Sequence, residues 1–473
     1  MTSAARLKTP KKEELEPIVS LHRRGAGGLR IALLLTQRLD LLIQKIYRNL
    51  DYPPKEHVAL VALGGYGRKE LCFASDTDIL FLVPGDRTRP EAGFAVQKLL
   101  YGLLDLGLDV GHSVRTMEEC LALRRGDVES WVSVLESRFI CGNKIVFDQL
   151  RAALAKEIAS SQPSLFVREM LDRLEVRHKK YGDSSKLLEP NIKNSAGGLR
   201  DLHTAFWLML GTGSLKPPPG LKPNATALTT LLTSTVIRKA SDQRTVRDAS
   251  KALDFILRTR NEMHLQGKGL HDTLEFTFQQ QVAEALGYKS KGPRSSVERF
   301  MQDYFLSARR ISGLTRRVAG TVHQRFLYSA TQGITKQIDN WFSLKEDRLC
   351  LAPRSRGLNN KILLLGILHS LRHGAGFSYE LEDAIGRQLH RFKPLRSNEE
   401  AELFREILAQ PSGVADAFQR LNEHDVLSRW IPEWKGMVAF FQHNQYHYYT
   451  ADEHTLRVVA NAEALGGGTH AIS

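Results

Sequence analysis

Asp76 and Asp78, preceded by Gly64, Gly65 and Gly67, are the residues of this chain best placed to do chemistry. On a strand, alternate side chains share a face, so the two carboxylates project together, roughly 6.5–7 Å apart along the chain. Carboxylates so placed converge on hard cations. The glycines let the backbone come close to a phosphate, and a helix starting there offers N–H groups without partners. A glycine turn or an Asp-x-Asp alone is commonplace. Together, between two apolar runs, they give the layout of nucleotidyl transfer: phosphates on one side and metal-binding carboxylates on the other.

The elements that must position these residues are legible around them. Val58–Leu63 and Ile79–Val83 predict two strands, and Arg68–Phe73 about two helical turns between them. Leucines and isoleucines at helical spacing predict a helix over Leu29–Leu50, stopped by Tyr52-Pro53-Pro54. Ala92–Leu106 predicts a helix on the sheet, Leu108–Arg115 a further strand, and Met117–Arg125 and Val128–Phe139 two closing helices. Arg138 suits a structural role as well as a substrate-facing one. Residues 151–330 carry long amphipathic patterns, among them Pro163–Lys180, Asp201–Leu210, Val246–His264 and Val297–Val318. The loop Leu187–Arg200 interrupts them. Its Glu189, Asn191, Lys193 and Arg200 are dense enough to reach over a nucleotide held by the first domain.

The motif Gly64-Gly65-x-Gly67-Arg68-x-Glu70-Leu71 with Ser75-Asp76-x-Asp78 resembles that of the polymerase-beta-like nucleotidyltransferases. Its form is closest to the bifunctional uridylyltransferase/uridylyl-removing enzymes that modify the PII signalling protein. Gly107–Thr116, Leu188–Lys193 with Gly197–Asp201, and Tyr449–Val458 resemble further blocks of that family. Ala74 and Ala196 depart from its pattern. The resemblance implies an α+β fold: a nucleotidyltransferase domain with a mixed sheet, then mostly helical domains. It implies transfer of UMP from UTP to a tyrosine of PII, with release of diphosphate and Mg²⁺ as cofactor (Mn²⁺ as an alternative). Asp76, Asp78 and Asp109 would be the catalytic, metal-binding carboxylates, although Asp109 also suits a turn cap after Gly107. Gly64, Gly65, Ser75 and Arg68 would bind the nucleotide.

The expected segments are an arm over 1–28, the nucleotidyltransferase domain over 29–150, a helical domain over 151–330 and a helical linker over 331–435, with short strands or turns around Phe342–Lys345 and Leu349–Leu351. From 436 to 473 the resemblance implies the start of an HD domain, with His454 as its first metal ligand. No His-Asp dyad follows His454; His271-Asp272 and His424-Asp425 both precede it. The expectation is therefore a truncated HD domain, no ACT domains and no uridylyl-removing activity. The cut helix is expected to expose Leu456, Val458, Val459 and Leu465.

The totals set outer bounds. A chain of 473 residues exceeds one core. No run reaches the roughly 18 apolar residues of a membrane helix, and the N-terminus lacks the apolar stretch of a secretory signal. Cys72, Cys120, Cys141 and Cys350 are scattered without metal spacing, which fits a reducing, cytoplasmic setting. A net charge of +14 suits triphosphates or an acidic partner, and without basic–aromatic clusters no nucleic acid is expected. The readings that compete are an RNA-directed nucleotidyltransferase, of tRNA-end or poly(A) type, and an idle remnant that binds nucleotide or PII.

Overall fold

A computed structural model of the chain describes residues 12–49, 58–85, 89–104, 108–182, 184–215, 226–234, 243–267, 272–292, 294–328, 335–345, 347–352, 357–441 and 449–466. These fall into two compact units. The first takes the residues up to Ser185, Glu189–Phe300 and Arg310–Val322; the second takes Lys186–Leu188, Met301–Arg309 and those from His323 onward.

The first unit opens with α1 (Lys12–Arg23) and α2 (Gly28–Arg48). Leu15, Val19 and His22 recur at helical spacing and are buried, so part of the segment read as an arm belongs to the core. A mixed four-stranded sheet follows, made of β1 (Ala59–Ala62), β2 (Thr77–Leu82), β3 (Val110–Arg115) and β4 (Arg138–Gly142), in the order β3-β2-β1-β4. β1 runs antiparallel to β2 and β4; β2 runs parallel to β3. β1 is buried throughout, which is why it reads as an unbroken apolar run rather than an alternation.

Two expectations for this region are corrected. The helical turn between β1 and β2 is Gly64–Gly67 (α3), not Arg68–Phe73. Lys69 sits in the left-handed region (φ 60°), and the Glu70 N–H closes back onto the Gly65 carbonyl at 2.8 Å, which ends the helix there. The helix expected over Val128–Phe139 stops at Leu135 (α6, Val128–Leu135), and β4 begins at Arg138. Pairing with β1 overrides the local helical period. Between these lie α4 (Arg89–Leu104) and α5 (Met117–Ala122), whose Thr116–Glu119 capping box fixes its start.

The helical part of the unit holds α7 (Lys144–Ser160), α8 (Pro163–Tyr181), α9 (Leu199–Gly211), α10 (Ala227–Thr233), α11 (Gln243–Gln266), α12 (Phe276–Ala285) and part of α13 (Ser296–His323), whose Met301–Arg309 and His323 fall in the second unit. α2 meets α11 at Gly28, where a Cβ would lie 2.3 Å from the Arg258 nitrogen. A buried His22–Glu262 hydrogen bond of 2.8 Å ties α1 to α11.

The second unit has strands where short strands or turns are expected, around Phe342–Lys345 and Leu349–Leu351. β5 (Thr335–Gln337), β6 (Phe342–Lys345), β7 (Arg348–Leu351) and β8 (Gly376–Phe377) form a second sheet. Its helices include α14 (Asn360–His373), α15 (Tyr379–Arg387), α16 (Asn398–Leu408), α17 (Val414–Glu423) and, after two single turns, α18 (Ala451–Gly466). Leu456 is buried and Val459 packs on the same core, so only Val458 and Leu465 of the face expected to be bare are exposed. Among the described residues no helix is long and apolar enough to cross a membrane.

Candidate active site

Asp76 is exposed just before β2, and Asp78 is half-buried on it. Both line a cavity of about 840 Å³ with Gly64, Gly65, Arg68 and Ser75. The parallel register pairs Thr77 with Val110 and Asp78 with Gly111. One step back in the same register, Asp109 comes beside Asp76, and its carbonyl accepts the Thr77 N–H at 3.0 Å. Asp109 is exposed and is not among the residues lining this cavity.

Asp78 is held between two glycines. A Cβ at Gly64 would lie 2.9 Å from its Oδ2, and a Cβ at Gly111 would lie 2.5 Å from its Oδ1. Burial raises the Asp78 pKa, and the charges of Asp76 and Asp109 raise it further, against Arg68 and Lys193. Ser75 Oγ accepts the Cys72 N–H at 2.9 Å, which leaves its own proton for another acceptor.

The opposite wall comes from α8, α9 and the loop before α9. Asn191, Lys193 and Arg200, read from sequence as a loop able to reach a nucleotide, do line the cavity of Asp76 and Asp78. The loop is built from its own short polar side chains. Asn191 Oδ1 accepts the Asn194 N–H at 2.8 Å, and Ser195 Oγ donates to the Tyr181 carbonyl at 2.8 Å. Gly198 is obligatory here, since a Cβ would lie within 2.7–2.9 Å of the Ile192, Lys193 and Ser195 carbonyl oxygens. Burial and then the neighbouring cations Arg260 and Arg200 lower the Lys193 pKa; burial and then Arg68 bring that of Arg200 down to about 10. A site that crowds cations in this way favours a polyanion.

Arg173, Arg177 and Lys180 on α8 also line the cavity, a contribution missed in the sequence reading although their i, i+4, i+7 spacing marks one helix face. Arg177 is engaged with Asp201 at 2.8 Å. Beneath the glycine turn, Arg68 bonds Glu70 at 2.9 Å and also pairs with Glu136; Trp207 Nε1 donates to Glu136 at 2.6 Å and His203 bonds Glu70 at 2.9 Å. Burial pushes the Glu136 pKa up to about 7 against the pull of Arg68. Arg68 is thus clamped between two carboxylates at the cavity wall. None of this network beyond the glycine motif was singled out from sequence, because its partners lie far apart along the chain.

The remaining candidates fall elsewhere. Arg138 is bidentate to Asp40 at 2.9 Å and stacks on Tyr66, a structural role. Glu189 is exposed and accepts the Phe276 N–H at the start of α12. Ala74 is buried and its N–H donates to His264 Nδ1 at 3.1 Å, a bond proline could not make. His454 is exposed on α18; His271 lies outside the described residues. Asp272 lines the cavity and pairs with Arg260 at 2.8 Å; Asp425 pairs with Arg309 at 3.0 Å.

Among the described residues no three His, Cys, Asp or Glu side chains come together as a ready metal site. The donor set still fits Mg²⁺, which keeps several waters and is held by one or two carboxylates together with substrate phosphates. The cost of ionising Asp78, set first by burial and then by the charges of Asp76 and Asp109, is what a cation would relieve.

A mixed sheet carrying paired aspartates beneath a glycine turn, followed by a helical region, defines an α+β unit of nucleotidyltransferase type. Residues 165–319 match the family model described as GlnD PII-uridylyltransferase. That segment supplies the cavity's cations other than Arg68, from Arg173 to Arg260, while the aspartate-bearing sheet precedes it.

Proposed function

We propose that the chain is a PII uridylyltransferase, moving UMP from UTP to a tyrosine of PII with release of diphosphate. One observation carries the reading: the carboxylates of Asp76 and Asp78 share a single cavity with the cations of the family-matched segment. Asp76 and Asp78 would hold Mg²⁺, or Mn²⁺, whose charge offsets that gathering on the triphosphate. The backbone at Gly64 and Gly65 and the Ser75 hydroxyl bind phosphate oxygens. Lys193 and Arg200 draw the leaving diphosphate towards the helical wall, and Arg68, fixed by Glu70 and Glu136, props the glycine turn. Asp109 takes the phenol proton as the oxygen attacks the α-phosphorus in line. The chain acts in the cytoplasm on a protein acceptor rather than on nucleic acid.

The test is incubation of the purified chain with PII, Mg²⁺ and α-labelled UTP or ATP. Label enters PII from UTP, and a PII variant with phenylalanine at the acceptor tyrosine stays unlabelled. No labelling from UTP would overturn the proposal.

A further inference from the structure

A second cavity, of about 380 Å³, shares Asp78, Glu129 and Ser133 with the first. Its other walls come from β3 and α6, with His112, Ser113, Arg115 and Ser130 among them. The two cavities meet at one carboxylate, and the carboxylate addresses both. Its Oδ2 lies against the Gly64 turn, a wall of the first cavity; its Oδ1 lies against Gly111, a wall of the second. Gly111 contributes no side chain, so nothing of its own covers Oδ1.

The linings differ in charge. The first cavity holds Lys180, Lys193 and Arg200, suited to a triphosphate. The second holds three serine side chains, with Arg115 and Glu129 also on its walls. A neutral hydroxyl acceptor needs this kind of surface rather than concentrated positive charge. β3 is also the edge strand of its sheet, and Gly111 and His112 are exposed along it. Such an edge offers backbone N–H and C=O groups to an extended segment of another chain.

We propose that the second cavity seats the acceptor segment of the protein substrate, extended along β3 with its hydroxyl at the Oδ1 side of Asp78. This rests on the transferase reading above and adds to it the route of the acceptor. In-line displacement requires the entering and leaving oxygens to lie on opposite sides of the phosphorus. The acceptor oxygen forms its bond to the α-phosphorus from the second cavity. The bridging oxygen departs with diphosphate into the first, and the hydroxyl proton passes to Asp109.

The test uses the full chain with S113F, which fills the second cavity, and S130W at a half-buried position in the first turn of α6 that lines the second cavity and not the first. Steady-state transfer gives KM for PII, and equilibrium dialysis with labelled UTP and Mg²⁺ gives donor affinity. We expect KM for PII to rise about tenfold or more, with donor affinity unchanged within about twofold. An unchanged KM for PII in S130W would overturn the proposal. So would parallel loss of UTP affinity, which would make the cavity a nucleoside site. Failure of the unaltered chain to bind UTP or label PII would instead bring down the transferase reading.

Discussion

At the scale of single residues, Asp78 depends on two neighbours that have no side chain. The aspartate pair was legible because strand alternation is local: Asp76 and Asp78 share a face whatever the rest of the chain does. Gly111 was not, because its constraint arises from the Asp78–Gly111 register across two strands. G111A should move the carboxylate from its place, since the added Cβ would lie 2.5 Å from Oδ1. Turnover should fall by about two orders of magnitude with UTP affinity nearly retained; a normal turnover number would show that the carboxylate has room to spare. D76N and D78N should abolish transfer in a folded protein, through several kcal/mol of lost charge stabilisation. Near-normal turnover in either would remove the assignment.

The raised pKa of Asp78 adds a pH dependence whose sign is fixed. A carboxyl whose pKa is raised on folding favours the folded state fully at acid pH. That contribution is lost as pH rises through the folded value. Without divalent ions, D78N should therefore melt above the unaltered protein at neutral pH, and the gap should close as the pH is lowered. Thermal melts across that range check it, and a D78N protein that melts lower at neutral pH would contradict the repulsion described here.

At the scale of elements, the helices were read well and the irregular joints were not. Sequence predicts Pro163–Lys180 and Pro163–Tyr181 is observed; it predicts Val246–His264 and Gln243–Gln266 is observed. These elements are long and strongly periodic, so local sequence settles them. β4 hid inside an apparent helix because Arg138–Gly142 is short and takes its conformation from β1. The loop before α9 lies between these cases. Its polar density was visible in sequence, but the need for Gly198 lies in three carbonyl oxygens brought together by the turn. G198A should distort the loop that presents Lys193 and Arg200. UTP affinity should then fall by about tenfold, with α9 itself intact. Equilibrium dialysis with circular dichroism separates the two effects, and unchanged affinity would place the loop outside the nucleotide site.

At the scale of the whole molecule, the second unit was legible only in part: Phe342–Lys345 and Leu349–Leu351 read as short strands or turns and form β6 and β7, whereas β5 and β8, of three and two residues, are too short to show a period. Its most constrained charge lies within a stretch that resembles a metal-site motif. Asp452 is fully buried and accepts hydrogen bonds from Lys186 at 2.7 Å, Asn422 at 3.0 Å, Thr450 at 2.7 Å and the Ala439 N–H at 3.2 Å. It works as an anchor, joining the start of α18 to residues from three other stretches of the unit. Burial alone would raise its pKa; the Lys186 ammonium and the hydrogen bonds overcome that and hold it below the ordinary carboxylate range. A carboxylate with a depressed folded pKa stabilises above its unfolded value, about 3.9, and the contribution is lost as pH falls through the folded one. Glu453, 3.6 Å from Lys186, shares the same cation. K186M would leave a buried carboxylate without its counter-charge, at a cost of about 3–5 kcal/mol. Hydrogen exchange followed by mass spectrometry should then show lost protection over Ala451–Gly466 at neutral pH, with the β1–β2 peptides of the first unit unchanged. The double variant K186M/D452N should recover much of that protection, because the uncompensated charge is gone. If K186M alone leaves α18 as protected as before, the pair does not hold the helix in place.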